Sequence, residues 1–76
     1  MLTLKEINEL KGIYTPGTKI ELIEMEGEDI PRGTVGTVRR VDDIGQIHVS
    51  WSTGSSLALQ PERDTFKVIK ERYITI

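Results

Sequence analysis

Apolar and polar positions along this chain follow two different periods. At the start, Leu4, Ile7, Leu10 and Tyr14 recur three or four residues apart, which puts them on one face of a helix. Thr3-Leu4-Lys5-Glu6 has the form of a capping box, in which Thr3 accepts from the Glu6 amide while the Glu6 side chain reaches back. Gly12 stands where a glycine ends a helix in the left-handed conformation. The pattern predicts a helix over residues 4–11, too short to hold itself in water and therefore docked as a lid on the rest of the domain.

Beyond the turn Thr15-Pro16-Gly17 the period shortens to two. A strand is predicted from Thr18 to Met25, with Ile20 and Leu22 facing in and Lys19 and Glu21 facing out. The alternation slips at Leu22-Ile23, which predicts a bulge or bend. Glu24 to Pro31 reads as an exposed acidic loop and Gly33 to Val41 as a second strand. Asp42-Asp43-Ile44-Gly45 is a turn, since Asp suits its first position and Gly its last. Gln46 to Trp51 alternates cleanly, with Ile47, Val49 and Trp51 inward. Ser55 to Leu59 is a further predicted strand, with Leu57 and Leu59 on one face. Gln60 to Asp64 reads as a single helical turn, Phe66 to Ile69 as the last core strand, and residues 71–76 as a tail.

The hairpin across Asp42–Gly45 can close in two ways. If Asp42 pairs with Gly45, Val38 faces Val49 and Gly36 faces Trp51. If Asp42 pairs with Gln46, Val41 faces Ile47, and a bulge at Arg39-Arg40 is needed to bring Val38 opposite Val49. The bulged register is preferred because it gathers Val38, Val41, Ile47, Val49 and Trp51 on one buried face. In both registers Gly36 makes room for the indole of Trp51, and Arg39 lies beside His48 on the face away from the core.

Composition agrees with a β-rich fold: 23 residues are β-branched and Ala58 is the sole alanine. The expected architecture is a five-stranded, strongly bent SH3-like β-barrel over residues 17–70, with the N-terminal helix closing one side. Its 76 residues make one small domain. A chain of this size buries only about 60% of its unfolded surface, so partner contacts or self-association matter to it. Without cysteine, no disulfide, thiolate metal site or cysteine nucleophile can form. No apolar run approaches a membrane span, and a cytoplasmic protein is expected.

Candidate chemistry is sparse. His48 is the one histidine, but no third group is placed by spacing to orient it against Ser50, so a structural role is expected and no catalytic residues are assigned. Glu21, Glu24, Glu26, Glu28 and Asp29 lack the grammar of a calcium loop and read as solvated charge, so neither a metal nor a cofactor is expected. Arg32, Arg39, Arg40, His48 and Lys67 are the candidate binding residues for a protein or nucleic-acid partner. With a net charge of −2, a nucleic-acid face would have to be local, with Tyr14 and Tyr73 as possible stacking platforms.

Pro16-Gly17-Thr18-Lys19-Ile20-Glu21-Leu22, Gly33-Thr34-Val35-Gly36-Thr37-Val38, Val41-Asp42-Asp43-Ile44-Gly45-Gln46-Ile47, then Trp51 and Gly54-Ser55-Ser56-Leu57, together resemble the domain-of-unknown-function family numbered 4314 (DUF4314). The resemblance implies a shared fold and a setting in bacteria, phages and mobile elements; it carries no activity and no site residues. A slighter likeness, in Gly33-x-x-Gly36-x-Val38 and Ile47-x-Val49-x-Trp51, is to SH3-like barrels of KOW and Tudor type. The expected function is a non-enzymatic binding module for a protein partner, as a monomer or a homodimer, with shallow grooves between its loops. The alternative is a KOW-like nucleic-acid-binding module.

Overall fold

The computed structural model describes residues 1–27 and 30–70. One helix, α1 (Leu4–Ile13), precedes four strands, β1 (Lys19–Glu24), β2 (Val35–Val41), β3 (Ile47–Trp51) and β4 (Thr65–Val68). They form one antiparallel sheet in the order β3-β2-β1-β4. The core lies on one face of it, where Ile20, Leu22, Val38, Val49 and Trp51 meet Ile47 and Leu59, all nearly inaccessible. Tyr14 and Phe66 close its flank with their rings edge to face, centroids 5.3 Å apart. Tyr14 is thus spent on packing rather than standing free as a stacking platform.

The capping box forms as read. The Glu6 amide donates to Thr3 Oγ1 at 3.1 Å, and the Thr3 amide donates to Glu6 Oε1 at 2.9 Å. That backbone bond holds the Glu6 carboxyl below its ordinary pKa. The helix outruns its expected end, however. Gly12 keeps a negative φ inside it, and the Tyr14 amide closes a further turn by donating to the Leu10 carbonyl at 2.8 Å. The inward face is also shifted: Leu4 is 74% exposed, and Leu2 packs in its stead. Leu2 precedes the cap and Ile7 is the fourth helical residue, the pairing of a hydrophobic staple; both side chains close on Gly45.

The hairpin takes the bulged register. The Asp42 amide donates to the Gln46 carbonyl at 2.9 Å, Val41 faces Ile47, and the register shifts between Val38 and Arg40 before Val38 meets Val49 and Gly36 meets Trp51. The bulge makes Arg40, not Arg39, the partner of His48. A second irregularity falls between Leu22 and Glu24 where β1 pairs with β4, at the slip in alternation.

A closed barrel and a fifth strand are not found among the described residues, which corrects the expected architecture to an open four-stranded sheet. Residues 55–58 spend their backbone groups locally instead of on a ladder. The Ser55 carbonyl accepts from the Trp51 amide, the Leu57 amide donates to Ser55 Oγ, and the Leu57 carbonyl takes the indole N–H at 2.8 Å. Only Leu59 pairs, in a single bridge to Ile47, while Leu57 stays 40% exposed. The chain then makes its one helical turn at Gln60–Asp64. There the buried Asp64 carboxylate accepts from the Gln60 amide at 2.8 Å and from Arg63 Nε at 3.3 Å. The tail expected at 71–76, with Tyr73, lies outside the described residues, as do Glu28 and Asp29 of the acidic loop. Of that loop's described residues, Met25 and Ile30 are buried in the core.

Candidate functional site

Two regions of the surface have chemistry beyond simple solvation. The first is the corner made by the β2–β3 hairpin. Turn formation falls on Asp42, whose Oδ1 accepts from the Ile44 and Gln46 amides at 3.1 and 2.9 Å. Its Oδ2 lies 2.8 Å from His48 Nε2. Partial burial opposes ionisation of this carboxyl, but the bonds from His48, Gln46 and Ile44 outweigh it and hold the pKa below the usual aspartate value. The ionised carboxylate can only accept, so Nε2 carries the hydrogen. His48 and Asp42 act as a clasp across the turn, and the imidazole is oriented towards the turn.

Around the clasp, Arg39 and Arg40 are exposed and make no ion pair among the described residues. The neighbouring Asp43 accepts from Lys11 Nζ at 2.8 Å, which lowers its pKa and ties α1 to the turn. An exposed pair of this kind contributes little stability. Two guanidinium groups and one ammonium therefore face two carboxylates, and the corner has only a small positive excess.

The remaining predicted residues do not join this patch. Lys67 is on the outward face of β4, opposite Glu21 of β1, which in turn faces Val35 of β2. That is five residues back from Arg40, or about 15 Å along the strands and about 10 Å across them. Arg32 precedes β2 and lines a separate depression with Ile23, Glu24, Met25 and Ile30. Arg39, Arg40 and His48 are brought together; Arg32 and Lys67 are not. Between the two groups the outward face is polar, with Lys19 Nζ donating to Thr37 Oγ1 at 2.6 Å and Thr37 opposite Ser50.

The second region was not anticipated. Where α1 crosses the Gln60–Asp64 turn, two open depressions of about 280 and 330 Å³ meet at Leu2, Pro61 and Glu62. One extends to Ile44 and Gln46 in the hairpin turn; the other runs along α1 past Glu9 and Leu10 to Ile13. Ile44 and Ile13 are 70% and 61% exposed, a large apolar area for a chain this small. The signals for it were present but scattered: an apolar residue ahead of the capping box, and an isoleucine inside a turn.

Among the described residues no helix is long and apolar enough to cross a membrane, and no three His, Asp or Glu side chains stand together as metal ligands. No curated protein and no solved structure matches this chain. The family model described as Domain of unknown function (DUF4314) matches residues 3–69, from the capping threonine to the residue whose amide bonds β1 at Lys19, and the chain belongs to that family.

Proposed function

We propose that this chain is a non-enzymatic interaction module with an SH3-like plan, which works by holding a protein partner. The observation that carries the reading is the apolar area left outside the core on α1 and the hairpin turn, at Ile13 and Ile44. Exposed apolar residues grouped beside a groove are the usual mark of a contact surface. The SH3-like part is supported by the strand order β3-β2-β1-β4 and by the single bridge from Ile47 to Leu59, which sets Leu59 beside the outer edge of β3. The non-enzymatic part is supported by the structural employment of His48 and Asp42, whose carboxylate is committed to the turn amides and the imidazole. A phage or mobile-element setting in a bacterial cytoplasm belongs to the same proposal and rests on the family likeness.

Site-specific photo-crosslinking in the native host tests it. A photoreactive residue in place of Ile13 or Ile44 should give protein adducts that the same group at Ser56 does not. Adducts equal at all three positions, or none, would remove the reading.

A nucleic-acid module is the second reading, favoured by the exposed Arg39-Arg40 pair beside the Thr37 and Ser50 hydroxyls. It is the weaker one because Asp42 and Asp43 stand in the same corner and offset much of the charge that phosphate contacts require. It requires a salt-dependent shift with mixed RNA and DNA oligomers that an Arg39→Ala/Arg40→Ala double variant abolishes.

A further inference from the structure

The trough between α1 and the Gln60–Asp64 turn has an apolar floor and an acidic edge, on which three carboxylates outnumber one cation, the Met1 ammonium. Leu2, Leu10, Ile13 and Pro61 supply the floor. Glu6, Glu9 and Glu62 stand along the edge, and neither depression is lined by Lys or Arg. Two of these carboxylates already hold donors: Glu6 takes the Thr3 amide at 2.9 Å, and Glu62 takes the Met1 ammonium at 3.2 Å. Glu9 makes no ion pair among the described residues. Each depression is at the small end of the range for an enclosed small-molecule site, and both are open to solvent. Such a surface suits a few side chains of an extended or helical segment lying across Leu2.

From this charge complementarity we infer that the trough's occupant is a short cationic amphipathic segment of a protein partner. Its apolar side chains enter the two depressions on either side of Leu2, and its Lys or Arg side chains reach Glu9 and Glu62. The inference rests on the reading of the chain as a protein-binding module and adds where the partner sits and what chemistry it carries.

The test is a fluorescence-anisotropy titration of the full chain with a labelled Leu/Lys amphipathic peptide and with its Leu/Glu counterpart. The Leu/Lys peptide should bind, and the Leu/Glu peptide should not. Glu9→Lys and Ile13→Asp should each weaken binding by about tenfold, a loss of about 1.4 kcal/mol. Arg39→Ala/Arg40→Ala should leave it unchanged. Both trough positions are exposed, and a thermal melt of each variant checks that the fold is kept. Equal binding of the two peptides, no binding, or binding indifferent to Glu9→Lys would overturn the inference. So would a concentration-dependent self-association that Ile13→Asp abolishes, which would give the trough to a second copy. If the peptide arms fail while crosslinks at Ile44 still trap a protein, the cationic chemistry assigned to the occupant falls and the interaction module stands.

Discussion

Gly36 on β2 and Trp51 on β3 face each other across the sheet, and the indole fills the space a side chain at position 36 would need. A Cβ added to Gly36 would sit 2.8 Å from Trp51 Cε3 and would collide with Val49 Cγ1. Neither neighbour can move freely, because the ring is pinned through its N–H to the Leu57 carbonyl and Val49 is fully buried. Gly36→Val is therefore expected to lower stability by about 1–3 kcal/mol through overpacking. A urea titration with an unshifted midpoint would refute the pairing.

Gly45 meets a double demand of another kind. Its φ of +88° lies in the region that an L side chain enters only with strain, and Leu2 and Ile7 rest on its bare Cα. Leu2 is flexible enough to yield, so the backbone is the larger obstacle. Gly45→Ala should cost about 1–2 kcal/mol, and the loosened staple should show as faster amide exchange at the start of α1. Exchange in α1 equal to that of the parent chain would mean that the helix does not depend on this contact.

Asp42 makes stability depend on pH in a stated direction. Its pKa in the folded chain lies below the unfolded value, so the ionised form favours folding. The contribution is fully present above about pH 4 and is lost as pH falls through the lowered folded value. Asp42→Asn keeps the shape but not the charge, and should be less stable than the parent at neutral pH. The two melting curves should converge in acid. A gap that stays constant from neutral pH into acid would assign the turn's stability to something other than this carboxylate.

The legible parts of this fold were those set by neighbours in the chain. The capping box at Thr3 and Glu6, the turn at Asp42, the bulge before Arg40 and the facing of Gly36 with Trp51 all follow from local chemistry and from the parity of a two-residue repeat. Leu57 and Leu59 satisfy the same parity, yet no strand forms there, because the Leu57 carbonyl is taken by an indole on another segment. Nothing in the spacing announces that bond. Gly12 has the placement of a helix-ending glycine, and the amide of Tyr14 carries the helix past it. That Arg32 and Lys67 stand apart from Arg39 among the candidate binding residues is not legible in the sequence, because strand register depends on the entire sheet. The trough was missed for a related reason: Leu2 and Pro61 are almost the full chain apart and meet only in three dimensions.

The hydrogen bond from the indole of Trp51 to Leu57 has a practical consequence. The chain carries one tryptophan, and its ring is shut in the core with its nitrogen fastened to the segment that links β3 to Leu59. Its emission is in effect a built-in gauge of whether that segment is seated. Opening it would expose the fluorophore to water and shift the spectrum to the red, with no label attached.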